Sequence, residues 1–145
     1  MTDMITHEDI EAFSDSYSYW SEPEAHYATP MQMVTFFKKH TSQEGSPSLY
    51  KDLIKEEYGE WWEASFFGPL NTEGDVAELK ELADLVYVIY GYALSKGWNL
   101  DEALYRVHTN NVTRVTQPDG TVKRRADGKI IKREDAPKVR LRDLV

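Results

Sequence analysis

The stretch LADLVYVIYGYA, residues 82–93, carries a single charged residue, Asp84, among apolar and aromatic neighbours. A helix of that composition is buried on most of its sides. The run is well short of the ~20 apolar residues of a membrane span. A chain of 145 residues has room for one domain and one core. Covering such a helix therefore calls for a second copy, and a homo-oligomer, dimer or tetramer, is expected.

Working outward, the same helix opens near Thr72, with Asp75 three residues on, and reaches Lys96 before Gly97. The preceding segment begins with Ser46–Pro47, an N-cap followed by proline in the first turn, and stops at Gly68–Pro69. Thr29–Pro30 repeats the signal for a helix reaching about His40. Thr6 with Asp9 opens a short helix to about Tyr19, and Asn99 with Glu102 caps another to about Val115. Beyond it, Pro118-Asp119-Gly120 and Ala126-Asp127-Gly128 are turn signals, with a short strand expected at Thr121–Arg125. The expected fold is all-α: a bundle of about five helices with a mostly irregular basic C-terminal arm, in a single domain over 1–145.

Composition narrows the function. A 41% hydrophobic and 12% aromatic content is that of a globular chain. No cysteine is present, so disulfides and thiolate metal sites are excluded. The acidic start, Met1 to Ile10, lacks the basic and apolar pattern of a secretory signal, so a cytoplasmic location is expected, without membrane attachment. The net charge of −8 argues against general nucleic-acid binding. Its distribution is uneven: Lys51 to Asp84 holds ten acidic and three basic residues, whereas Arg114 to Arg142 holds ten basic and four acidic. An acidic centre beside a basic segment suits a metal-bound polyphosphate; solvated faces and a basic tail are the plainer reading.

The chemistry lies on the two long helices. Glu56, Glu57 and Glu60 read E-E-x-x-E, and Glu81 and Asp84 read E-x-x-D. Residues three apart share a helix face, so antiparallel packing would converge Glu57, Glu60, Glu81 and Asp84. An unpaired ionised Asp84 within its apolar run would cost several kcal/mol. Clustered carboxylates also repel one another and take up protons unless a cation joins them. Mg²⁺ or Mn²⁺ with oxygen ligands resolves both costs, placing a buried acidic metal site between the two helices. Lys80, by helical phase, is expected to point away from the Glu81/Asp84 edge. Glu63, Glu73 and Asp75 read as ordinary surface; Glu56 and Glu78 read either as ligands of a further ion or as solvated.

The paired motifs, with Glu60 and Glu81 21 positions apart, resemble those of the MazG-type all-α NTP pyrophosphatases. That superfamily includes dimeric dUTPases, dCTP pyrophosphatases and phosphoribosyl-ATP pyrophosphohydrolase. The stretch Val107-His108-Thr109-Asn110-Asn111-Val112-Thr113-Arg114 resembles the segment after the last helix in the phosphoribosyl-ATP pyrophosphohydrolase branch. There it is followed by Asp-Gly and Asp-Gly-Lys, here Asp119-Gly120 and Asp127-Gly128-Lys129. Arg114 stands where the branch has lysine, which keeps the charge. The resemblance covers about residues 30–138. It is similar in kind to short phage-encoded members, among them those of cyanophages whose DNA contains 2-aminoadenine.

The resemblance implies hydrolysis of a (deoxy)nucleoside triphosphate to the monophosphate and pyrophosphate, with water attacking the α-phosphorus. It implies two or three Mg²⁺ ions, with Mn²⁺ as substitute, held by Glu57, Glu60, Glu81 and Asp84, and Glu56 or Glu57 as general base. The phage type implies guanine substrates, dGTP or GTP; phosphoribosyl-ATP, dUTP and dCTP are the alternatives. Asn111 and Arg114 are candidate phosphate contacts, or else a helix-end cap and a solvated charge. Lys129 and Lys132 are the next candidates, reaching into another subunit's site, while His108 reads as structural. The base needs a stacking wall, and Trp20, Phe36, Phe37, Trp61 and Trp62 are available, each also a candidate for core packing. Trp20 is the one set apart, as a specificity determinant. A non-catalytic helical scaffold or nucleotide sensor is the reading from another class.

Overall fold

The computed structural model describes residues 28–145, so the expected helix at Thr6–Tyr19 and the candidate Trp20 lie outside the described residues. Among these, the architecture is four α-helices and a closing 3-10 turn, Arg142–Leu144. They are α1 (Pro30–Thr41), α2 (Pro47–Phe67), α3 (Thr72–Ser95) and α4 (Leu100–Val115). The chain divides into two compact units, Met1–Trp98 and Asn99–Val145.

Each helix begins where a side chain takes up a free backbone N–H. Thr29 accepts from Gln32 N at 3.2 Å while Gln32 Oε1 accepts from Thr29 N at 2.9 Å, a complete capping box. Ser46 caps α2 through Leu49 N, and Asn99 caps α4 through Glu102 N. For α3 the cap is Asn71, whose Oδ1 accepts from Gly74 N at 3.0 Å, one residue before the expected Thr72.

In the first unit, α2 and α3 pack along their lengths and α1 lies on α3. The Gly68–Pro69 connection is too short for anything but an antiparallel hairpin. The packing agrees with that register: Tyr50, early in α2, meets Gly91, late in α3. Glu57 then meets Glu81 and Asp84 further along. Among the described residues, the buried apolar side chains are Val34, Tyr50, Tyr90 and Ala93. Phe37 braces α1 on α3 by an edge-on contact with Tyr87, centroids 5.6 Å apart.

Two helices do not enclose a third. Among the described residues the apolar run of α3 is only partly covered, with Leu82, Val86, Tyr87 and Ile89 all more than a third exposed. Phe67 and Leu70, at the hairpin tip, are more open still.

In the second unit, the chain leaving α4 folds back twice. Asp119 Oδ1 accepts from Thr121 N at 3.0 Å, and Asp127 Oδ1 accepts from Lys129 N at 3.1 Å. Gly120 and Gly128 follow each aspartate at φ of 84° and 86°, which favours glycine. The strand expected at Thr121–Arg125 does not form. Thr116 pairs with Val122 and Arg124 with Ile130 as isolated bridges, because successive turns leave no room for a ladder. Val107–Arg114 lies within α4, which ends at Val115 as expected.

Candidate acidic metal centre

α2 and α3 bring ligand oxygens of Glu57, Glu81 and Asp84 within 4.8 Å of one another. Glu60, one turn on from Glu57 and exposed, is near enough to hydrogen-bond the Glu57 carboxyl and helps to raise its pKa. Glu56 is exposed and outside this group. The two helical repeats, E-x-x-E and E-x-x-D, thus meet as the spacing requires.

The centre is half-buried rather than buried. The Asp84 side chain keeps 38% of its surface and that of Glu81 22%. The expectation for Lys80 is corrected. Its Nζ lies 2.7 Å from Asp84 Oδ2 and 3.6 Å from Glu81 Oε1. Residues four apart are only ~40° apart around a helix, and a long lysine stem spans the remainder. In the absence of metal, Lys80 thus supplies the cation that an ionised Asp84 needs. The carboxylates in turn hold the Lys80 ammonium above its ordinary pKa, chiefly through the hydrogen bond to Asp84.

Deeper in the group, two oxygens lack partners. Glu57 Oε2 and Glu81 Oε2 are buried without a hydrogen-bond partner. The Glu57 carboxyl is pushed up to about 7, first by burial, then by its hydrogen bond to Glu60 and the charges of Glu60, Asp84 and Glu81. Hard oxygen donors, two of them orphaned, fit a divalent cation such as Mg²⁺ or Mn²⁺. Residues that would hold it are Glu57, Glu81 and Asp84.

The sequence matches the phosphoribosyl-ATP pyrophosphohydrolase family over residues 25–111, more than half of the chain. The chain belongs to that family. Membership implies a pyrophosphohydrolase acting on a nucleotide. No curated protein matches the sequence significantly. The matched span contains the four acidic positions and Asn111, and ends before Arg114, Lys129 and Lys132. None of the helices among the described residues is long and apolar enough to cross a membrane.

Asn111, Arg114, Lys129 and Lys132 belong to the second unit. Asn111, Lys129 and Lys132 are exposed; Arg114 is intermediate, and its carbonyl accepts from Arg133 N at 2.7 Å. A different pair of α4 residues ties down the C-terminal arm. Asn110 donates to Pro137 O. Arg106 binds both Asp143 oxygens, at 2.7 and 2.9 Å, and Arg140 O at 3.0 Å. Glu102–Arg106 is visible in sequence as a four-residue helical pair, but Asp143 is 37 positions away and carries no local signal.

The aromatics near the acidic helices are in contact with one another. Tyr58 stacks on Trp62 with centroids 6.1 Å apart, and Trp62 meets Phe66 at 4.8 Å. Trp61 is one turn beyond Glu57, and its indole Nε1 is buried without a partner.

Proposed function

We propose that the chain hydrolyses a (deoxy)nucleoside triphosphate to the monophosphate and pyrophosphate, with Mg²⁺ as its natural ion and Mn²⁺ as a substitute. The observation that carries this reading is the convergence of Glu57, Glu81 and Asp84, with two carboxylate oxygens buried and unpartnered. Glu57, Glu60, Glu81 and Asp84 would together hold two or three ions. Ions bound there would polarise the phosphate chain and make water a stronger nucleophile at neutral pH.

The chain's own residues supply the rest. Water attacks the α-phosphorus, its oxygen goes to the monophosphate, and the bond to the pyrophosphate leaving group breaks. Of the two glutamates considered as base, Glu57 is inside the group and Glu56 is not, which supports Glu57. Asn111, Arg114, Lys129 and Lys132 are proposed to contact phosphates, and Trp20 the base. The open apolar face of α3 supports a homo-oligomer, dimer or tetramer, of a single-domain cytoplasmic enzyme.

Guanine is the proposed base, supported by the resemblance to the phage type. The family match favours phosphoribosyl-ATP as the second reading. The test is a panel of common NTPs and dNTPs with phosphoribosyl-ATP, in Mg²⁺, in Mn²⁺ and in EDTA, with products resolved by chromatography. Metal-dependent turnover selective for dGTP and GTP is expected. Selective turnover of phosphoribosyl-ATP would replace the guanine reading. No turnover at all would favour a scaffold or sensor.

A further inference from the structure

The acidic group has two sides, and they are differently filled. Inward, Glu57 Oε2 and Glu81 Oε2 are buried without partners. Outward, the Lys80 ammonium bridges Asp84 Oδ2 at 2.7 Å and Glu81 Oε1 at 3.6 Å, on a side chain 66% exposed. The chain's own cation therefore covers the exposed side of the group, while the inward acceptors are unpartnered.

We propose that Lys80 is a phosphate-binding residue of this centre, parked on Asp84 and Glu81 until a divalent cation takes those carboxylates. A doubly charged ion entering the group competes with the ammonium for the same oxygens and repels it at short range. The lysine stem has four rotatable carbons and is largely exposed, so Nζ can retreat toward solvent without disturbing α3. Its new surroundings are the solvent-facing side of the group, from which a polyphosphate would approach the carboxylates. A compact ammonium is a good phosphate partner as a point charge. The ligand class is the phosphate chain shared by all nucleoside triphosphates, so Lys80 adds affinity without choosing the base. As a phosphate contact, this assignment rests on the proposed hydrolase reading; as a rim cation competing with metal, it does not.

The two halves of the proposal move in opposite directions, which separates them from a plain helix ion pair. The full-length Lys80→Gln variant is titrated with Mn²⁺ alone, following free Mn²⁺ by electron paramagnetic resonance. It should bind Mn²⁺ tighter, by about threefold to tenfold, because a competing positive charge has gone. With Mn²⁺ saturating, calorimetry should show inorganic tripolyphosphate bound about tenfold more weakly than by wild type, as expected for loss of a charge-assisted contact. Lys80→Arg, which keeps the charge, should bind Mn²⁺ like wild type. Circular dichroism of each variant checks that the helices are intact. Unchanged or weaker Mn²⁺ binding in Lys80→Gln overturns the parked-cation half. Unchanged tripolyphosphate binding overturns the phosphate half. Both readouts are independent of turnover, so a wild type that hydrolyses no nucleotide would sink the hydrolase reading while these titrations still decide Lys80.

Discussion

The ring of Tyr50 lies so close to the backbone of Gly91 that a β-carbon added to Gly91 would fall 2.1 Å from Tyr50 Cε1. This contact sets how closely the two acidic helices approach. Lys38 caps it, with Nζ 4.4 Å from the ring centroid and donating to Gly91 O at 3.0 Å. Gly91→Ala must push the helices apart or expel a buried ring. A loss of about 1–3 kcal/mol is expected by urea unfolding, the usual cost of overpacking. A variant as stable as wild type would show that the hairpin gives way freely here.

Glu57 makes the metal-free protein sensitive to pH in an unusual direction. Its folded-state pKa of about 7 lies above the ordinary glutamate value of about 4.3. The folded state therefore binds more proton than the unfolded state between those values, and stability falls as pH rises through that window. Metal-free wild type should be more stable at pH 5 than at pH 8 in this contribution. Glu57→Gln, which cannot ionise, should flatten the dependence. Urea unfolding of both proteins across the range measures it, and parallel curves would remove Glu57 as the cause.

The same proton must leave when a divalent ion binds. Below about pH 7, metal and proton compete for Glu57. Mn²⁺ affinity is thus expected to fall as pH drops from 8 to 6, with proton release near neutral pH. Calorimetry in two buffers of different ionisation enthalpy reads the proton directly. Equal heats in both buffers would contradict proton displacement.

Asp84 separates chemistry from folding. It is partly exposed and its ion pair with Lys80 is at the surface, so Asp84→Asn should change stability by no more than about 0.5 kcal/mol. Turnover should nonetheless fall by about 10²–10⁴-fold, the range for loss of a group acting at the reacting centre. Retained turnover would detach Asp84 from the metal centre.

Arg106 is the clasp of the second unit. Its guanidinium holds Asp143 through both oxygens and Arg140 through its carbonyl. Arg106→Ala should free the C-terminal end, seen as faster amide exchange over residues 138–145 and faster trypsin cleavage after Arg140 and Arg142. Unchanged protection would mean that Asn110 and Pro137 hold the arm alone.

The helices were legible in the sequence because their ends are local chemistry. Thr29–Pro30, Ser46–Pro47 and Asn99 mark starts that the structure keeps, and Gly68–Pro69 marks a stop. The acidic centre was legible because a three-residue helical spacing puts carboxylates on one face, and a short loop forces the two helices antiparallel. Backbone phase alone misplaces Lys80, because a lysine stem reaches across the ~40° that separates positions four apart on a helix. Arg106–Asp143 was not legible at all, since nothing local links positions so far apart. The Thr121–Arg125 strand failed because two Asp-Gly turns compete with pairing for the same few residues. The exposed apolar side chains of α3 among the described residues follow from its composition, which is apolar on most sides.

The central claim is metal-dependent attack of water on the α-phosphorus. It is tested most directly by running wild-type turnover of dGTP with Mg²⁺ in water enriched in ¹⁸O and weighing the products by mass spectrometry. The account predicts one ¹⁸O in dGMP, none in pyrophosphate, and no reaction in EDTA. Label in pyrophosphate or in orthophosphate, or equal turnover without metal, would contradict it.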